Sequence, residues 1–283
     1  MQSKELHDHI HKTYFTLRVG LAALAAVLPL LLVGVGYVGY RIWLQPSLSD
    51  YYFALTNAKP ILWDFPMRGW FVGILCAIGC FLILYRGFSN TENWLLNIAG
   101  VSALGVALIP MTVPEACENC GGPMFSWWPW AHFFFAGLLF ACIAVVAWAC
   151  SEETLGELPT DRQKTYRALY DRHAIGMLLF PFAAIALTAI AGINDYRILF
   201  VEAFGVWVFA HYWFTKSREL RESDCDRKAA EGTMAGPARE ASFAPERRDG
   251  TQSPPPSRTS DRLRMRAARI FDREPMHQLR RKP

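Results

Sequence analysis

Seven polar or aromatic residues from four separate segments are the part of this sequence best suited to bind a ligand. They are Ser47, Ser49, Tyr51, Tyr52, Arg68, His132 and Glu202. Each segment borders an apolar stretch, and the topology predicted below places all four at one depth, near the same membrane surface. Hydroxyl, imidazole, guanidinium and carboxyl groups can hydrogen-bond the polar end of a small or lipidic molecule. A ligand-binding cluster of these residues is therefore our hypothesis.

Glu202 is the most demanding member of this cluster. It lies about five residues into the last apolar stretch, where an ionised carboxylate is costly without a partner or water. Arg68 lies at similar depth, as do Arg197 and His132, and we predict the pair Arg68 with Glu202. The alternative is a buried ion pair that only fixes helix packing. The alternative role for His132, Tyr51 and Tyr52 is that of residues at the membrane interface.

Cys117 and Cys120 form a CxxC motif followed by Gly-Gly-Pro. A second CxxC is missing from the sequence, and the predicted compartment is oxidising, so we expect a small loop closed by a disulfide. A redox-active or metal-binding pair is the alternative. His7, His9 and His11 alternate along the N-terminus and indicate a solvated flank rather than a metal site. No metal or other cofactor is predicted.

Six apolar stretches must position these residues. Hydrophobic residues make up 52% of the 283 positions, and they are concentrated in long runs. About 20 apolar residues suffice to cross the hydrocarbon layer as a helix. The predicted spans are residues 16–40, 69–85, 94–113, 127–149, 174–193 and 198–214. The predicted fold is all-α, a polytopic transmembrane bundle of six spans.

The basic residues that flank these spans predict the orientation. Eleven lysines and arginines border one surface and four border the other. Because basic residues resist translocation, the first surface is predicted to be cytoplasmic. Both termini then lie in the cytoplasm, the seven-residue cluster lies at the outer leaflet, and the protein is expected in a bacterial inner membrane.

The terminal segments differ in composition from the spans. Residues 1–15 are predicted to be a cytoplasmic flank, and residues 216–283 a disordered tail rich in Arg, Ser and Pro. Within this tail, residues 260–274 have the spacing of a short basic amphipathic helix. It would dock on anionic lipid, the alternative being a solvated tail. The predicted partners are membrane lipids; nucleic acid is not, since no binding motif accompanies the charge.

Several runs of this chain resemble a family of uncharacterised bacterial multi-pass membrane proteins. The resemblance covers roughly residues 20–215 and is carried by Ser47-Leu-Ser49-Asp-Tyr51-Tyr52, Met67-Arg68-Gly-Trp-Phe71-Val72-Gly73, Tyr85-Arg86-Gly87, Asn97-Ile-Ala99-Gly100 and Gly105-Val-Ala107-Leu108-Ile-Pro110. It implies a six-helix membrane protein without an assigned reaction. The family pattern has a polar residue where this chain has Phe53 and an acid where it has Gly69. These departures argue against a catalytic site at the outer surface.

A more distant resemblance is to membrane hydrolases that place a serine, an aspartate and three histidines around zinc. Those proteins have seven spans and a paired HxxxH in the last one, whereas this chain has only His211 there. The sequence thus favours a membrane protein that binds a small or lipidic ligand. The alternatives are a metal-assisted lipid hydrolase, a secondary transporter, and a structural or partner-binding protein.

Overall fold

The regular secondary structure in the described parts of the chain is helical, and these parts contain no strand. The computed structural model describes residues 2–54, 66–111 and 130–234. The helices are α1 (Gln2–Tyr40), α2 (Pro66–Leu84), α3 (Asn90–Leu108), α4 (Ala131–Val145), α5 (Glu152–Leu155), α6 (Thr160–Ala191), α7 (Arg197–Ser223) and α8 (Cys225–Glu231). A wide π-helical turn, Val146–Cys150, joins α4 to the region of α5, and 3-10 turns occur at Ser49–Tyr52 and Asn194–Tyr196.

The six long helices of the described part of the chain pack in a ring that follows their order in the sequence. Each of α1, α2, α3, α4, α6 and α7 contacts the next, and α7 returns to contact α1. The connections from α2 to α3 and from α6 to α7 are only five residues long, 85–89 and 192–196, so these consecutive helices lie side by side. The ring brings the first and last long helices together, so residues distant in sequence can share one site.

Within residues 2–54, 66–111 and 130–234, five segments are long and apolar enough to cross a membrane. They are His11–Tyr40, Pro66–Leu84, Ala131–Leu155, Thr160–Ala191 and Asn194–Ser223. The third predicted span corresponds to α3, which has 19 residues but begins with the polar turn Asn-Thr-Glu-Asn. That turn lowers its mean hydropathy, and α3 is not among the five.

The outer surface of α6 shows how strongly these helices favour lipid. Leu178, Phe182 and Ile190 are 59, 71 and 84% exposed. A continuous apolar surface of this kind would promote aggregation in water but is matched to hydrocarbon chains. The exposed apolar side chains therefore support a protein embedded in a membrane.

Helices α2 and α3 approach closely at two glycines. A Cβ atom added to Gly79 would lie 2.9 Å from the carbonyl oxygen of Gly100, and one added to Gly100 would lie 2.7 Å from that of Gly79. The absence of side chains lets the two backbones touch, as small residues do between membrane helices.

The structure corrects the predicted start of the disordered tail. Helix α7 continues through Lys216 to Ser223, and α8 follows. Leu220, Cys225 and Met234 form a buried apolar cluster against Phe88, which stabilises this segment. Residues 235–283, including the predicted amphipathic helix at 260–274, lie outside the described residues.

Candidate functional site

Buried polar side chains gather near both ends of α7. Glu202 lies in its second turn, and Lys216 lies roughly 21 Å further along the helix axis, at about 1.5 Å per residue. We call the groups around Ser49, His132 and Glu202 the Ser49 cluster, and the groups around Lys216 and Glu219 the Lys216 network.

The segment after α1 carries Ser49 back over the bundle. Arg41 adopts a left-handed conformation with φ of 56°, which ends α1 and lets the Ile42 N–H bond the carbonyl of Gly36 at 3.0 Å. The carbonyl of Pro46 then accepts a hydrogen bond of 2.8 Å from the N–H of Leu199 in α7. This second contact fixes the segment against the start of α7.

The Ser49–Tyr52 turn presents its first residues to Glu202. The Ser47 hydroxyl accepts the Asp50 N–H at 2.9 Å, which caps the turn. Glu202 Oε2 accepts the N–H of Leu48 at 2.5 Å and that of Ser49 at 3.3 Å, and Glu202 Oε1 lies 2.8 Å from the Ser49 hydroxyl. The carboxyl group is thus held by one turn of backbone.

The predicted pairing of Arg68 with Glu202 is wrong. All hydrogen bonds of Glu202 go to the Leu48–Ser49 segment, and among the described residues it has no ion pair. The Arg68 guanidinium instead lies 4.5 Å from the ring centre of Tyr52, and its Nε donates to the Tyr52 carbonyl at 3.2 Å. Backbone N–H groups thus supply the contacts that we had assigned to a cation.

His132 completes the Ser49 cluster. Its Nε2 lies 2.9 Å from the Ser49 hydroxyl oxygen, and its Nδ1 lies 2.6 Å from the carbonyl oxygen of Ile109 at the end of α3. His132 and Ser49 are only 2 and 5% exposed. His132 is therefore a buried residue of the cluster.

The remaining predicted residues play separate parts. Tyr51 is buried, and its ring packs over Gly36, where an added Cβ would lie 3.1 Å from Tyr51 Cε1. Burial raises the pKa of the Tyr51 hydroxyl. Tyr52 and Arg68 stack on each other beside the turn. Of the seven predicted residues, Ser49, His132 and Glu202 are joined directly, with Ser47 supporting their turn.

A cavity of about 360 Å³ opens beside the Ser49 cluster between α4, α6 and α7. Among the described residues that line it, His132 and Glu202 are the only polar ones, and the rest are apolar or glycine. Phe133 and Leu178 line the cavity and are 46 and 59% exposed. The cavity therefore reaches the apolar outer surface of the bundle. A smaller cavity of about 60 Å³ lies on the Ser49 side of the same residues.

The Lys216 network was missed by the sequence reasoning. Lys216 Nζ donates to the Thr154 hydroxyl at 2.7 Å and lies 3.1 Å from Glu219 Oε2. The Tyr170 hydroxyl donates to the same carboxylate at 3.1 Å. Lys216 and Glu219 are 2 and 0% exposed. Their spacing of three residues on a continuing helix was the available signal, but the change of composition at Lys216 had been interpreted as the end of the fold.

Two further polar contacts among the described residues join α1 to α8 and α6 to α7. Arg18 of α1 makes two hydrogen bonds to Asp226 of α8, at 3.1 and 2.5 Å, and its side chain is buried. His173 and His211 pair through ring nitrogens 2.6 Å apart.

Within the described parts of the chain, no three His, Cys, Asp or Glu side chains are placed to hold a metal ion together. Cys117 and Cys120 lie outside the described residues, and their disulfide stays a prediction.

No protein-family model, curated protein or solved structure matches this chain. The resemblance to a bacterial multi-pass family stays a prediction, and the function must be argued from the site.

Proposed function

We propose that this chain is a six-span protein of a bacterial inner membrane that binds a lipidic ligand in the cavity beside the Ser49 cluster. In this proposal α3 also crosses the membrane, which brings the number of spans to six, both termini are cytoplasmic, and the cluster faces the outer leaflet. The excess of basic residues on the terminal side supports this orientation.

The observation that carries the proposal is an apolar cavity with polar groups at one place only. Its volume of about 360 Å³ lies within the usual range of roughly 300–1,000 Å³ for ligand sites. Its opening lies between apolar side chains on the outer surface, so a molecule dissolved in the bilayer can enter sideways. Glu202 then receives the polar end of that molecule, since its carboxyl oxygens can accept further hydrogen bonds while both ring nitrogens of His132 are already engaged.

The charges around the cavity favour an uncharged polar end. Neither Lys nor Arg is among the described residues that line it, and one carboxyl group is. A phosphate headgroup would therefore be desolvated without a counter-charge, which is unfavourable. A hydroxyl, ester or amide group matches the hydrogen-bonding groups that are present.

A photoactivatable diacylglycerol tests this site. With the protein in lipid nanodiscs, we expect the probe to crosslink to lining residues of α4 and α6. Gly137 lines the cavity and has open space around it, so Gly137→Leu should fill the cavity and abolish the crosslink. Gly73 on α2 also has open space but does not line the cavity, and Gly73→Leu is the matched control.

The outcome decides between a ligand site and an unused void. Undiminished crosslinking in Gly137→Leu, or none to α4 and α6 in the unmodified protein, would overturn the proposal. Equal crosslinking by a photoactivatable phosphatidic acid would retain the site but contradict the argument for an uncharged ligand.

A further inference from the structure

The hydroxyl of Ser49 lies between two groups that both need its proton. His132 Nδ1 lies 2.6 Å from the Ile109 carbonyl oxygen, which can only accept a hydrogen bond, so Nδ1 carries a proton. In a neutral imidazole, Nε2 is then an acceptor. That acceptor lies 2.9 Å from Ser49 Oγ.

Glu202 makes the same demand from the other side. Its Oε1 lies 2.8 Å from Ser49 Oγ, while its Oε2 is already occupied by two backbone N–H groups. An ionised carboxylate can only accept. With a neutral His132 and an ionised Glu202, one serine proton would face two acceptors, and one short contact would join two lone pairs.

We infer that His132, Ser49 and Glu202 hold one additional proton between them and form a net-neutral proton relay at the wall of the cavity. In one state Glu202 Oε1 carries the proton and donates to Ser49, which donates to His132 Nε2. In the other, His132 is an imidazolium, its Nε2–H donates to Ser49, and Ser49 donates to the Glu202 carboxylate.

The two states interconvert by two proton steps. The Glu202 O–H breaks as a Ser49 O–H forms, and the original Ser49 O–H breaks as a His132 N–H forms. The proton count and the net charge stay constant, because the negative charge on Glu202 and the positive charge on His132 appear together. No other donor or acceptor has to move.

The surroundings favour retention of this proton. His132 and Ser49 are buried, and a lone carboxylate beside them would be a desolvated charge without an ion-pair partner among the described residues. Asp50, next to Ser49 in the turn, exerts its charge on both His132 and Glu202. Arg68, the nearby cation of α2, lies over the Tyr52 ring.

Both ends of the relay open on the same cavity. His132 and Glu202 line it, while Ser49 borders the smaller cavity behind them. A hydroxyl group in the large cavity that hydrogen-bonds the Glu202 carboxyl group can take the shared proton or return it there, which is general acid–base chemistry. The relay itself rests on the internal contacts and not on ligand binding.

Infrared and nitrogen NMR spectra of the full-length protein in bilayers test the relay near neutral pH. We expect one of two signatures: a protonated-carboxyl band that disappears in Glu202→Gln, or a His132 imidazolium signal with a Glu202 carboxylate band. An ionised Glu202 beside a neutral His132 would overturn the inference, and so would a protonated Glu202 beside an imidazolium.

Two serine variants supply the matched comparison. Ser49→Ala removes the bridging hydroxyl, so each titration step should then change the signal of Glu202 or of His132 alone, instead of both signals over the same pH range. Ser47→Ala removes a hydroxyl of the same segment that only caps the turn, and it should keep the joint change. A joint change in both variants would also contradict the relay. Because no ligand is added, these results are distinguishable from failure of the lipid site.

Discussion

Removal of the Lys216 ammonium is the perturbation whose energetic effect can be worked out most directly from the structure. In Lys216→Met, the Glu219 carboxylate keeps its hydrogen bonds from Thr154 and Tyr170 but loses the cation 3.1 Å away. Glu219 is fully buried, so solvent cannot replace that cation. Breaking a buried ion pair from one side costs about 3–5 kcal/mol.

This loss corresponds to about three orders of magnitude in the unfolding equilibrium constant, at roughly 1.4 kcal/mol for each factor of ten. The assay is unfolding in mixed micelles with increasing SDS, followed by tryptophan fluorescence. The double variant Lys216→Met, Glu219→Gln removes both charges and keeps an acceptor for Tyr170. We expect it to lose less than the single variant, because Glu219 no longer carries an unpaired charge, although the buried Glu92 still loses the field of Lys216.

A surface pair on α6 and α7 is the control. Arg162 and Glu222 form an ion pair of 2.6 Å, but their side chains are 44 and 30% exposed. Arg162→Met should leave the unfolding transition unchanged within error, because water replaces the lost partner. The reasoning is refuted if Lys216→Met unfolds at the same SDS fraction as the unmodified protein, or if the double variant is less stable than the single one.

Two further predictions concern packing and thiol chemistry. An Ala Cβ at Gly105 would lie 2.5 Å from the ring of Phe135, so Gly105→Ala should lower the free energy of unfolding by about 1–3 kcal/mol in the same assay. The control Gly73→Ala has open space and should not lower it. Equal stability of the two variants would contradict this prediction. Burial raises the pKa of the Cys225 thiol to about 12. Since the thiolate is the reactive form, maleimide near neutral pH should modify Cys225 only after denaturation, as read by mass spectrometry, and rapid labelling of the folded protein would count against it.

The apolar runs predicted the helices well but not where they end. Hydropathy reports which residues prefer lipid, while a helix continues wherever its backbone hydrogen bonds can be made. Helix α1 therefore begins at Gln2, although the predicted span began at residue 16. Helix α7 likewise extends nine residues past the predicted end at 214, because Lys216 and Glu219 are paired inside the protein.

The sequence predicted the depth of the candidate-site residues in the membrane, but not which side chains contact each other. Counting along the spans placed Ser49, His132 and Glu202 at one level, and the structure joins them. Arg68 was predicted as the partner of Glu202 because depth is only one coordinate. The angle around each helix axis, and the path of the segment after α1, decide which side chains meet. Those depend on packing that a single sequence does not encode in any local pattern.

The buried polar groups share one constraint, which separates the relay from the rest. Charge inside an apolar bundle must be balanced locally, and Arg18 with Asp226 and Lys216 with Glu219 achieve this with a fixed cation beside an acid. No cation among the described residues contacts Glu202 in the Ser49 cluster, so we infer that its charge is balanced by a proton. A fixed ion pair can hold helices together but cannot exchange its charge with a ligand. A shared proton can, and it borders the cavity through both His132 and Glu202. The Ser49 cluster lacks the fixed ion pair that would hold helices together most strongly. Its shared proton instead makes it the part of the bundle best suited to chemistry.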